Sequence, residues 1–197
     1  MPALSVFVDG LLKARVCTDD LHVLTVNVSG TKIDDTFATV EFSGGSYPES
    51  GDSTHLVWLS ELPLRPGQSV RVEVAAGGSN SHPGKTLEEL FPDLPEEKQG
   101  PMPSREQLVE EVKLRKHLRD HFALSVQSSS GASVSAEVKP EEHGFGASFL
   151  WNWVQPERVS ASLHTYTLDQ LLSKEGFNYH YRERLHPYAW AEIRLDA

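Results

Sequence analysis

The chain has 197 residues, 39% hydrophobic and 23% charged, which suits a soluble globular protein with one sizeable core or two small ones. Its formal net charge of −10 argues against a nucleic-acid binder that works by neutralising phosphates. No apolar run approaches the roughly 20 residues that span a bilayer. No basic leader precedes an apolar core in MPALSVFVDGLLKARV. A single cysteine, Cys17, leaves no internal disulfide, and a cytoplasmic location is expected.

The first 75 residues read as β structure. Leu4–Val8 and Leu11–Cys17 flank Asp9-Gly10, a hairpin signal, and Leu21–Val28 alternates with His22, Leu24, Val26 and Val28 on one side. Strands are also expected over Thr36–Phe42, His55–Leu59 and Val70–Val74.

Residues 76–103 form an acidic, Pro- and Gly-rich connection with Glu88, Glu89, Asp93, Glu96 and Glu97 close together. Ser104 with Gln107 is a capping pattern, acids follow it and bases crowd Lys113 to Arg119, so a principal helix is predicted at about 105–122. Leu108, Val112, Leu118 and Phe122 make its apolar arc.

The remainder, within 104–197, returns to β. Strands are expected over Ala123–Gln127, Ala132–Val138 and Val159–Leu163, and Phe149, Trp151 and Trp153 alternate as core positions of another. Thr167 and Gln170 cap a short helix, and Phe177–Leu185 and Tyr188–Leu195 form a closing pair. No internal repeat is read. The expected class is α+β, mainly antiparallel sheet, sandwich-like or twisted, with the two β-rich parts sharing one core or forming two lobes.

The stretch VAAGGSNSHPGKT resembles a phosphate-binding loop only superficially. The pattern G-x-x-x-x-G-K-[ST] puts its first glycine where Ser79 stands, and Pro83 removes an N–H from the cradle. Thr86 and Glu89 cap a helix that Pro92 stops after one turn, so a surface connection is expected.

Other constellations are incomplete. Ser46, Asp52 and His55 share a loop but lack the strand-to-helix elbow that presents a nucleophile. His117 and His121 are four apart, a metal-ligand spacing, but nothing completes a set. Neither metal nor cofactor is expected. On the terminal strand, His180, Arg182 and Arg184 are expected on one face, followed by Tyr188 and Trp190 on the next strand, types enriched in binding hot spots.

These observations favour a non-catalytic interaction protein: an acidic inhibitor or immunity-type protein, of bacterial or phage kind, binding a basic protein partner. The expected contacts are Glu88, Glu89, Asp93, Glu96, Glu97, His180, Arg182, Arg184, Tyr188 and Trp190. Two alternatives stand beside it: a hydrolase drawing His164, His180 or His186 together with Asp169 or Glu183, and a structural component of a larger assembly.

Overall fold

The computed structural model describes residues 1–93, 103–173 and 176–197. Strands β1 (Ala3–Val8) and β2 (Leu11–Cys17) form the expected hairpin. Asp9 at φ 50° and Gly10 at φ 76° make the double positive-φ turn whose twist matches its strands. A meander β3 (Val23–Thr31), β4 (Ala38–Ser46) and β5 (Thr54–Leu64) follows, then β6 (Ser69–Ala75). After a connection bearing α1 (Leu87–Leu90) and α2 (Arg105–Lys113) comes the hairpin β7 (Ala123–Ser128) and β8 (Ser133–Glu137). The strands β9 (Gly144–Asn152), β10 (Val159–Tyr166), β11 (Asn178–Leu185) and β12 (Trp190–Asp196) complete the fold, with α3 (Leu168–Leu172) before β11.

Among the described residues all strand pairings are antiparallel, in two six-stranded sheets ordered β2-β1-β6-β12-β7-β8 and β11-β10-β9-β3-β4-β5. We call them sheets A and B. Alternation drives their inner faces together: Val70, Val72 and Val74 of sheet A and Leu24, Val26 and Val28 of sheet B belong to one buried cluster. The molecule is therefore mostly antiparallel sheet with few short helices. Among the described residues, no helix is long and apolar enough to cross a membrane.

The expectation of no internal repeat is overturned. Each half contributes a hairpin to sheet A, a three-stranded meander to sheet B and a return strand to sheet A, and both sheet orders are palindromic. The hydrogen bonds repeat as well. Thr18 N–H bonds Pro2 O as Val138 N–H bonds Phe122 O, both at 3.0 Å. Gly67 N–H bonds Leu195 O as Tyr188 N–H bonds Val74 O, both at 2.6 Å. The central seams are symmetric about Asn27↔Ser148 in sheet B and Arg71↔Glu192 in sheet A. Two faint traces survive in sequence: Ala3-Leu4-Ser5-Val6 recurs as Ala123-Leu124-Ser125-Val126, and Leu64-Arg65-Pro66 as Leu185-His186-Pro187.

The glycine-rich stretch is an edge strap. Ser81 exchanges bonds with the backbone of Arg15 on β2, and Asn80 Oδ1 accepts from Cys17 N–H at 2.7 Å. Lys85 then pairs with Val57 of β5 through two backbone bonds of 2.9 Å. The strap thus satisfies backbone groups on the edges of both sheets, which would otherwise invite another chain. Gly84 is required there, since a Cβ would lie 2.9 Å from both Leu56 and Trp58.

The principal helix is shorter than expected, ending at Lys113. Beyond it the backbone is claimed by the body of the protein: Leu118 N–H donates to Lys32 O at 2.7 Å, and the Arg119 guanidinium to the carbonyls of Thr31 and Asp35. Those anchors replace the next helical turn. Of the predicted arc, Phe122 reaches the core while Leu108 and Leu118 stay exposed, and Val109 is the buried residue of α2.

Candidate functional site

The acidic cluster expected at 88–97 falls partly on α1. Thr86 and Glu89 form a capping box, and the adjoining Lys85 bridge stitches the turn to β5. Glu88 and Glu89 sit in its first turn, and the backbone N–H of Glu88, then the Thr86 hydroxyl, hold the Glu88 carboxyl below its ordinary range. Beside them Leu87 and Phe91 are 52% and 48% exposed and line a hollow of about 260 Å³ with Glu88 and Pro92. Asp93 follows at the surface, and Glu96 and Glu97 lie outside the described residues.

The shared face expected for His180, Arg182 and Arg184 is corrected. Leu163 pairs with Tyr181 and His164 with Tyr179, so His180 is the extra residue of a bulge and the alternation slips there. Arg182 and Arg184 are exposed beside Tyr179, with the Arg182 guanidinium 3.5 Å from the Tyr179 ring centre, over a shallow hollow of about 510 Å³. His180 instead turns to the buried Thr165.

A polar network that sequence reasoning missed lies there. Glu142 and Thr165 are 1% and 0% exposed, and Thr165 Oγ1 donates to Glu142 Oε1 at 2.6 Å. Since that hydroxyl spends its proton on Glu142, the 2.9 Å contact with His180 is a bond from His180 Nε2–H. Asn178 and the Lys139 N–H also donate to Glu142, at 2.6 and 2.9 Å. Burial pushes the Glu142 carboxyl up, but these bonds more than cancel it and leave it below the usual carboxylate range. Nearby, buried Lys32 donates to Lys139 O at 2.6 Å, and burial pushes its ammonium down. The Thr165 hydroxyl sits between acid and imidazole, donating to one and accepting from the other, so these bonds tie β10 and β11 to the turn before β9. No local spacing links Glu142, Thr165 and His180 in sequence, and Leu21, Gly44 and Trp58 hold the matching positions in the first half, so the network belongs to the second half.

Tyr188 and Trp190 lie with sheet A, away from Arg182 and Arg184 on sheet B, so the expected contacts do not form one surface. Tyr188 follows Pro187 in a turn, at φ 71° and 83% exposed, and Trp190 faces outward while Ile193 and Leu195 are buried as expected. Arg71 lies over the Trp190 ring at 4.0 Å and meets Glu73 at 3.0 Å. Arg15 Nε donates to buried Ser5 Oγ at 2.8 Å. These side chains line a hollow of about 300 Å³.

The remaining histidines disperse. His55 Nδ1 meets the Tyr47 hydroxyl at 2.9 Å. His117 and His121 fall outside α2, and His117 meets His143 edge-on at 5.6 Å. His164 stacks on Phe177 at 4.5 Å, on the face of sheet B opposite Thr165. Among the described residues no group of three or more His, Cys, Asp or Glu is placed to hold a metal ion. Trp153, expected in the core with Phe149 and Trp151, lies beyond the end of β9, is 59% exposed and packs on His22. Comparison with protein-family models, curated proteins and solved structures finds no match to this chain.

Proposed function

We propose that the chain is a non-catalytic interaction protein that docks a basic protein partner through α1, in the manner of an acidic inhibitor. One observation carries the reading: Leu87 and Phe91 stand exposed on a hollow they share with Glu88 and Pro92, with Glu89 and Asp93 next to them in the chain, on a turn held to β5 by the Lys85 bridge. Apolar anchors within a charged rim are the anatomy of a binding surface, and fixing them beforehand lowers the ordering cost of association. The charge of −10 adds steering toward a basic partner.

The test is affinity capture from the native cell with wild type beside Leu87→Asp/Phe91→Asp, followed by titration of the recovered protein. The reading expects a basic protein held by wild type and lost by the variant, with the Kd rising at least about tenfold from 50 to 300 mM salt. Retention by the variant, or affinity indifferent to salt, refutes it.

A further inference from the structure

The duplication supplies an internal control for the hollow on sheet A. Around it stand Arg15, Arg71, Tyr188 and Trp190; the register puts Ser135, Glu192, Gly67 and Ser69 in the matching places of the other half. The matching half also carries Arg194 where this hollow has Glu73, so what is peculiar to this hollow is Arg15, the exchanged order of the Arg71 and Glu73 charges, and the two large rings. One of these is strained. The turn places Gly67 at φ 85°, where glycine is at ease, and Tyr188 at φ 71°, where a side chain is disfavoured by about 1–2 kcal/mol. At 83% exposure, Tyr188 gains little from burial to offset that cost.

We propose that this hollow binds a small aromatic carboxylate. Charge selects a monoanion: Arg71 is already paired with Glu73, whereas Arg15 has no carboxylate partner among the described residues. Ser5 holds Arg15 by its Nε, leaving the terminal nitrogens for a carboxylate. The Glu73 carboxylate disfavours a dianion such as phosphate. The ring of the ligand packs against Tyr188 and Trp190, whose partner Arg71 fixes the indole from one side. A volume of about 300 Å³ suits a ligand of this size.

The test titrates the intact protein with 4-hydroxyphenylacetate, followed by indole NMR shifts, beside acetate, p-cresol, tyramine and inorganic phosphate. A Kd of about 1 mM or tighter is expected for the aromatic carboxylate, with every control at least about tenfold weaker. Arg15→Gln should weaken binding at least about tenfold. Tyr188→Gly should weaken it about fivefold while raising the melting temperature, a combination that a merely structural tyrosine would not produce. No saturation by about 10 mM, equal binding of tyramine or phosphate, or unchanged affinity in Tyr188→Gly overturns the proposal.

Discussion

His22 and His143 are the same residue of the two halves: each Nδ1 accepts the backbone N–H of the residue 25 positions on, from Tyr47 at 2.7 Å and Leu168 at 3.3 Å. Each also donates its own backbone N–H across the loop, to Gly45 O and Tyr166 O, both at 2.8 Å. At His143 an accepting Nδ1 must be unprotonated, so the bond from Leu168 favours the neutral imidazole there.

For His143 that preference has a pH signature. Burial, then the neighbouring His117 and Lys32, push its pKa below the ordinary 6.5, with Asp169 opposing and Lys113 reinforcing. Below pH 6.5 the unfolded chain binds the proton more readily than the folded one. The contribution to stability is therefore complete above 6.5 and is lost as pH falls toward the folded value. Urea midpoints should drop between pH 7.5 and 5.5, and His143→Asn, which retains an acceptor, should flatten the slope. An unchanged slope in His143→Asn would exclude this histidine as its source.

Glu142 acts in a more acidic window. Its folded pKa lies below the ordinary 4.5, so its contribution is present above 4.5 and disappears as pH falls through the folded value. Glu142→Gln turns one acceptor into a donor facing Asn178, Thr165 or the Lys139 N–H, and should cost about 2 kcal/mol at neutral pH. Denaturant unfolding reads it; a loss under about 0.5 kcal/mol would show that the network adds little.

The strained turn makes a paired prediction. Tyr188→Gly should stabilise by about 1 kcal/mol, raising Tm by about 2–4 °C for a chain of this size. Gly67→Ala, at φ 85° with open space around it, should destabilise by a similar amount. Calorimetry on the two variants decides it, because equal and small effects would mean that backbone strain is not the controlling quantity.

Gly84 is bound to the strap by packing. Its Cβ position lies 2.9 Å from Leu56 Cβ and Trp58 Cε2, so Gly84→Ala should cost about 1–3 kcal/mol. ATP should leave the thermal transition of wild type in place. A nucleotide-dependent shift would restore the phosphate-loop reading of Gly84-Lys85-Thr86.

Local chemistry announced much of the architecture. Asp9-Gly10 marked its hairpin, Val70-Val72-Val74 their buried face, and Ser104, Thr86 and Thr167 their capped turns, because each signal is written within a few neighbouring residues. Long-range competition was invisible. The helix continues in pattern past Lys113, yet Lys32 O takes the Leu118 N–H from far along the chain. The bulge at His180 shifted the side chains beyond it, and no period-two count anticipates an extra residue. The hollow on sheet A assembles Arg15, Arg71 and Trp190 from three strands, so only their pairing brings them together. The two-fold correspondence is written in strand order and register, which depend on alternation rather than on particular side chains, and most matching positions hold different residues.

The palindromic seams carry a consequence for a severed molecule. A cut within 76–122 would leave two fragments joined through β3 with β9 and β6 with β12, ladders of nine and five residue pairs. Either fragment alone would bare one inner strand in each sheet, with geometry made to receive its counterpart. The natural rescue for such an orphan is a twin, so each isolated half is expected to assemble as a symmetric homodimer that rebuilds both sheets from two identical chains.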